Sequence, residues 1–149
     1  MSSQLHHVVM CSHSADVVVT FLTDVVGMSI QQQFHVPSEL LEKTLEWPPS
    51  SGAQVTLLGS GDSGLIEVLD VPTALRGVVP EGLAGLSFLS DDATAVRKRA
   101  DAAAHPTKSI DIGMPGFELF FCKVGGVPIE FMGGYSDDVG RTLTDEPNA

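Results

Sequence analysis

Two glutamates stand in apolar, strand-like runs at corresponding places in the two halves of this 149-residue chain. Glu67 lies in Leu65–Leu69 and Glu130 lies in Val127–Met132, and each directly follows an isoleucine. Burying a carboxylate in such a run is costly unless the carboxylate has a partner. Each glutamate therefore needs a cation, a hydrogen-bond donor or a water-filled cavity, and a functional site would supply one.

Alternation predicts which other side chains share a face with the two glutamates, because successive strand residues point to opposite sides of a sheet. The glutamate-bearing face would also carry His7, Val9, Cys11, Leu69, Gly85, Ser87 and Met132. The opposite face would carry Val8, Met10, Ile66, Val68, Leu86, Phe88, Ile129 and Phe131, an apolar set suited to packing under helices. Only one of the adjacent residues His6 and His7 can share the glutamate face, and His7 is in phase with it.

The elements that hold these residues occur twice, in the order β-α-β-β-β. In the first half they are Leu5–Cys11, Ala15–Val26, Met28–Val36, Gln54–Leu58 and Leu65–Leu69. In the second half they are Leu83–Leu89, Asp92–Ala104, Ser109–Ile112, Phe117–Lys123 and Val127–Met132. The pattern predicts one domain over residues 1–135, made of modules 4–71 and 83–133 with a connector at 72–82. A polar tail would follow at 136–149.

The first predicted helix shows the clearest periodicity. Its apolar residues Val18, Phe21, Leu22 and Val25 recur at the spacing of one helix face, and Gly27 would end the helix. We therefore expect these four side chains to pack against the sheet.

Paired β-α-β-β-β modules, with a histidine in an opening strand and a glutamate in each closing Ile-Glu strand, resemble the vicinal oxygen chelate superfamily. That superfamily includes glyoxalase I, methylmalonyl-CoA epimerase, extradiol dioxygenases and bleomycin-resistance proteins. The resemblance covers about residues 4–135, nearly the whole chain. It implies an α+β fold in which the modules form a curved, half-open mixed sheet with a central cavity, and it implies a homodimer.

The same resemblance implies a divalent metal site. Position by position, His7, Glu67 and Glu130 match the family's metal ligands, and Glu130 would also be the catalytic base. The ion could be Ni, Zn, Mn, Fe or Mg. Gly85 stands where the family has a second-half histidine. Because an imidazole is a strong ligand for such ions, this change lowers the expected affinity and leaves a metal-free protein as an alternative.

Two functions are compatible with this pattern. The first is a metal-dependent lyase, isomerase or epimerase that transfers a proton next to a metal-bound oxygen of a small carbonyl compound. The second is a metal-free protein of the bleomycin-resistance type that sequesters a ligand, and its acidity would suit a cationic one. Extradiol dioxygenation fits less well, because Gly85 replaces the histidine that the family pattern requires.

The first half is longer than the second by about fifteen residues, mostly within His35–Gly52. This segment contains Trp47, the only tryptophan of the chain. A long loop beside a site is often a lid or a pocket wall. Packing at a dimer interface is an equally good interpretation, and His35 could enter the site through the same loop.

Composition excludes several classes of partner. The formal net charge is -11, which repels the phosphates of nucleic acids and anionic membrane surfaces. The sequence has neither an apolar run long enough to span a membrane nor the pattern of a signal peptide, so we expect a cytoplasmic protein with a small-molecule substrate or ligand. Cys11 and Cys122 are too few for a disulfide framework and are expected to be reduced cysteines packed in strands.

Overall fold

The computed structural model describes residues 3–59 and 64–134, so the predicted tail at 136–149 lies outside the described residues. The strands are β1 (Ser3–Ser12), β2 (Ser29–Val36), β3 (Ala53–Gly59), β4 (Leu65–Asp70), β5 (Gly82–Ser90), β6 (Lys108–Ser109), β7 (Glu118–Val124) and β8 (Val127–Gly133). The α-helices are α1 (Ala15–Phe21), α2 (Ser38–Leu45) and α3 (Ala93–Ala102). A π-helical turn (Leu22–Val26) extends α1, and a 3-10 turn (Thr73–Leu75) lies in the connector.

The chain divides into two compact units. The N-terminal unit is His7–Ala84, and its strands have the order β2-β3-β4-β1. In this sheet β1 and β4 are parallel, whereas β4 with β3 and β3 with β2 are antiparallel. The unit is therefore a mixed sheet in which the opening and closing strands of the predicted module lie side by side.

The C-terminal unit consists of the described parts of Met1–His6 and Gly85–Ala149, and its strands have the order β5-β8-β7-β6. Here β5 and β8 are parallel, whereas β8 with β7 and β7 with β6 are antiparallel. Gly125 and Gly126 both have positive φ, which is what a tight hairpin between β7 and β8 requires. The α+β fold class and the repeated β-α-β-β-β order are thus as predicted.

The helix α1 and its π-helical turn differ from the expected packing. Gly27 ends them in the left-handed conformation, as predicted. Phe21 and Val25 are 56% and 68% exposed, however, and Val17 on the same face is 63% exposed. The prediction that Phe21 and Val25 pack inward is wrong, because helical spacing identifies an apolar face without showing that anything covers it.

The segment between β2 and β3 forms part of the core. It contains α2, whose Leu41 is buried, and Trp47, which is 7% exposed. Both side chains belong to one cluster with Cys11, Val55 and Leu69. Alternation and strand register place those three residues on the face that carries Glu67. The segment thus covers part of that face with apolar side chains.

The C-terminal unit packs α3 on the other face of its sheet. Asp92 caps α3 by accepting a hydrogen bond from the Ala95 backbone N–H at 2.9 Å. The Phe88 and Phe131 rings stack with 6.1 Å between centroids, and the Arg97 guanidinium lies 5.1 Å from the centroid of Phe120. Helices in the described ranges all lack the length or the apolar character that a membrane crossing requires.

Candidate functional site

Strand register establishes which positions of the two units correspond. In the parallel pair β1 and β4, Glu67 lies opposite Val9, two residues after His7. In the parallel pair β5 and β8, Glu130 lies opposite Ser87, two residues after Gly85. The backbone therefore agrees with the sequence comparison, in which Glu67 corresponds to Glu130 and His7 to Gly85.

In the N-terminal unit the glutamate is beside an imidazole. His7 Nε2 lies 3.3 Å from Glu67 Oε2, and His7 is 7% exposed. The two residues are diagonal neighbours on adjacent strands, because His7 itself lies opposite Leu65. The structure thus brings together two of the predicted site residues on the face where alternation placed them.

In the C-terminal unit the glutamate is beside a hydroxyl. Ser87 Oγ donates a hydrogen bond to Glu130 Oε1 at 2.5 Å, and Ser87 is fully buried, with 0% exposure. Burial raises the pKa of Glu130 to about 7, although the Ser87 hydrogen bond acts to lower it. Because that pKa is near neutrality, the Glu130 carboxyl can both release and accept a proton at physiological pH.

The structure gives a reason for glycine at position 85. A Cβ atom on Gly85 would lie 3.0 Å from the backbone oxygen of Pro128, in the adjacent parallel strand. That distance is tighter than ordinary van der Waals contact, and the atom it meets belongs to backbone. A side chain at this position would therefore require the backbone at Pro128 to move by a few tenths of an ångström.

Neither alternative histidine shares the His7 face. His6 is adjacent to His7 on the same strand, and burial lowers the pKa of its imidazole. His35 lies between Phe34 and Val36, which pack against the core cluster on the Glu67 face, so the His35 side chain is on the opposite face. On that face, His35 Nδ1 lies 3.3 Å from Gln54 Nε2.

The two cysteines are reduced and buried in strands, as predicted. Burial, with a smaller contribution from the nearby charge of Glu67, raises the pKa of the Cys11 thiol to about 12. Cys11 therefore stays a thiol at physiological pH, and a thiol is a poor metal ligand and a poor nucleophile.

The donor chemistry of the His7–Glu67 pair suits a divalent ion, which accepts imidazole nitrogen and carboxylate oxygen. With the two donor atoms 3.3 Å apart, the pair fits neighbouring positions of one coordination shell. Within residues 3–59 and 64–134, no group of three or more His, Cys, Asp or Glu side chains is placed to hold a metal ion. The pair thus fits part of a metal site, and the three-ligand set with Glu130 stays a prediction.

Sequence reasoning placed Ser87 on the glutamate face but gave it no role. The missing information was the register of β5 against β8, two parallel strands that are far apart in the chain. Comparison of the two modules could have singled out Ser87, since it takes the place of the apolar residue Val9. A buried hydroxyl at an otherwise apolar position indicates a polar partner.

The architecture described above is that of the glyoxalase-like fold. Methylmalonyl-CoA epimerase from Mycobacterium tuberculosis superposes with a TM-score of 0.65 at 17% identity, covering 91% of this chain and 91% of that one. A hypothetical protein from Bacillus halodurans C-125 has a TM-score of 0.63 at 15% identity, covering 91% of this chain and 97% of its own. A methylmalonyl-CoA epimerase in complex with methylmalonyl-CoA and NH4+ has a TM-score of 0.63 at 17% identity, with coverages of 89% and 95%.

These similarities establish a shared fold and leave the chemistry to be argued from the site. No protein-family model matches the sequence, and no curated protein matches it significantly.

Proposed function

We propose that this chain is an enzyme of the isomerase, epimerase or lyase type that transfers a proton on a carbon next to a carbonyl group of a small molecule. The observation that carries the proposal is the pairing of Glu130 with a fully buried serine, at 2.5 Å, on the glutamate-bearing face. A carboxyl held in this way is positioned as a general acid and base. The likeness in fold to methylmalonyl-CoA epimerases supports the same class of reaction.

In this mechanism the Glu130 carboxylate removes the proton from the carbon beside the carbonyl and afterwards returns a proton to the substrate. Ser87 positions Oε1 by its hydrogen bond, which leaves Oε2 of Glu130 to act on the substrate. The pKa of about 7 keeps a useful fraction of Glu130 in each protonation state at neutral pH.

By resemblance, His7 and Glu67 would hold a divalent ion. Glu130 completes the predicted ligand set, but in this proposal it acts as the base. When bound, such an ion supplies Lewis-acid polarisation of the substrate carbonyl. The 3.3 Å separation of the His7 and Glu67 donors supports their part of this assignment. The family resemblance also leads us to propose a homodimer, which the mass in solution would test.

The test is proton exchange in D2O, followed by 1H NMR on a panel of small carbonyl compounds that includes methylmalonyl-CoA. Each compound is tried with added Mn, Zn, Ni, Fe or Mg and with a chelator. On a compound that exchanges, Glu130→Gln should lower the exchange rate by about 10²- to 10⁴-fold, because the general base is lost. Glu39→Gln removes the same charge from an exposed helix position and should leave the rate unchanged.

Full exchange by the Glu130→Gln variant would overturn the assignment of the base. Tight binding of a compound without exchange, with or without metal, would favour the ligand-sequestering alternative instead.

A further inference from the structure

A single row of side chains crosses the C-terminal sheet at the position of Glu130. Lys108 on β6 lies opposite Phe121 on β7, Phe121 lies opposite Glu130 on β8, and Glu130 lies opposite Ser87 on β5. Directly opposite residues of neighbouring strands project from the same face of a sheet. Lys108 is therefore on the Glu130 face, two strands from the proposed base.

A second lysine lies on the same face one row away. Lys123 follows Phe121 by two positions on β7, so both side chains project in the same direction. Lys108 and Lys123 are diagonal neighbours across β6 and β7, a separation that long side chains can span. Phe121 is 8% exposed and both lysines are exposed, so two exposed lysine positions neighbour a buried ring that lies opposite Glu130.

The location of this lysine pair is unusual for such an acidic protein. The chain has 8 Lys plus Arg against 19 Asp plus Glu, yet alternation places no carboxylate other than Glu130 on this face among the described strand residues of the C-terminal unit. In the same described part of the chain, Lys108 has no carboxylate within ion-pair distance. Its charge is therefore available to a ligand.

From this juxtaposition we infer that Lys108 and Lys123 bind an anionic group of the substrate, a carboxylate or a phosphate, while Glu130 acts on the carbon beside the carbonyl. Strands are spaced by about 4.8 Å, so Lys108 and Glu130 are separated by about 10 Å of sheet. The flexible four-carbon stem of lysine lets its ammonium approach a ligand that lies beside the buried Phe121 ring. The inference rests on the proposed function and names its substrate class, an anionic carbonyl compound.

The experiment compares anionic probes with neutral partners of the same skeleton. Methylmalonate is paired with its dimethyl ester, and dihydroxyacetone phosphate is paired with dihydroxyacetone, so the two arms separate carboxylate from phosphate recognition. Binding to the full chain is measured by NMR titration at low and high salt. Lys108→Met and Lys123→Met should each weaken binding of the preferred anion by about tenfold, and added salt should do the same.

Lys98→Met is the matched control. It removes the same charge from the same acidic protein, but Lys98 is an exposed residue of α3 and does not lie on the strands that carry Lys108 and Lys123. It should leave anion binding unchanged. Because Lys98, Lys108 and Lys123 are all exposed, the thermal unfolding of the three variants should match that of the wild type.

Two results would overturn the inference. One is that neither anion binds more tightly than its neutral partner, and the other is that Lys98→Met weakens binding as much as Lys108→Met does. If Glu130-dependent exchange persists on neutral compounds in either case, the proposed function survives and the lysine site fails. If lysine-dependent anion binding is found but no Glu130-dependent exchange, the lysine site stands and the proposed function fails.

Discussion

Glu67 and Glu130 occupy corresponding positions in the two units but have different neighbours. The row that contains Glu67 also contains Gln32, Leu57 and Val9. The row that contains Glu130 also contains Lys108, Phe121 and Ser87. Glu67 reaches an imidazole one row away, whereas Glu130 has its hydrogen-bond donor in its own row. Corresponding backbone positions in the two units therefore place their glutamates in different electrostatic environments.

This difference in neighbours would suit the two glutamates to the different roles proposed for them. An imidazole can carry a positive charge or bind a metal, so it suits a glutamate that holds an ion. A serine hydroxyl brings no charge, so burial dominates at Glu130 and raises its pKa to about 7. Under the proposed function, the N-terminal pair would contribute to metal binding and Glu130 to proton transfer.

The units also differ in what covers the glutamate-bearing face. In the N-terminal unit, α2 and Trp47 pack on part of it, and the corresponding stretch of the C-terminal unit has no such helix among its described residues. Trp47→Ala should lower the free energy of unfolding by about 3–5 kcal/mol, because it leaves a large cavity in the core. Urea unfolding measures this value.

Phe21→Ala is the control for Trp47→Ala, since Phe21 is 56% exposed on α1. Its cost should be below about 0.5 kcal/mol. Equal losses from the two substitutions would show that the α2 segment is not part of the core.

The pH dependence of stability should distinguish Glu130 from a surface carboxylate. Its pKa is raised from 4.5 to about 7, so its stabilising contribution is complete below pH 4.5 and is lost as the pH rises through 7. Each unit of pKa shift corresponds to about 1.36 kcal/mol. Glu130→Gln should therefore be more stable than the wild type by roughly 3 kcal/mol above pH 8, with little difference at pH 4. Unfolding in the presence of a chelator, at both pH values, measures this difference.

Glu39→Gln, on the exposed side of α2, is the matched control for this comparison. A gain for Glu130→Gln that is the same at pH 4 and pH 8 would contradict burial as the cause.

Ser87 provides a smaller and more specific test. Its hydrogen bond lowers the pKa of Glu130, so Ser87→Ala should raise that pKa further, by roughly 1 unit. The pH profile of proton exchange, or of unfolding where no substrate is at hand, should shift to higher pH. Val9→Ala, at the corresponding position of the N-terminal unit, should leave the profile in place. A profile that shifts equally in both variants would show that the serine has no special role.

The order of the modules and the correspondence of Glu67 with Glu130 could be predicted because both follow from local patterns. Strand alternation and the repeated Ile-Glu pair are visible without knowledge of tertiary contacts. The resemblance to the vicinal oxygen chelate superfamily likewise rested on these patterns, and the fold agrees with it. The same alternation placed His7 on the face where its ring meets Glu67.

The remaining features depend on contacts between distant parts of the chain. Helical spacing could not show that Phe21 is uncovered, because a periodic pattern contains no information about the neighbouring surface. Leu41 and Trp47 lie in a segment with a proline-rich end, and only the tertiary structure shows that it packs on the sheet. Lys108 could not be related to Glu130 from the sequence, because the two residues are connected only through the registers of three strands.

The smallest expected effect concerns the position at which the two units differ most in sequence, His7 against Gly85. A Cβ on Gly85 would lie 3.0 Å from the backbone oxygen of Pro128, and moving that oxygen would disturb the ladder between β5 and β8. Gly85→Ala should therefore destabilise the protein by about 1 kcal/mol, even though glycine-to-alanine changes are favourable where space and φ allow them. Gly64→Ala, which would meet nothing within 4 Å, should be neutral or stabilising. If Gly85→Ala were also neutral, the close approach of Pro128 would not explain the missing histidine, and Gly85→His would become a feasible way to add an imidazole to the C-terminal unit.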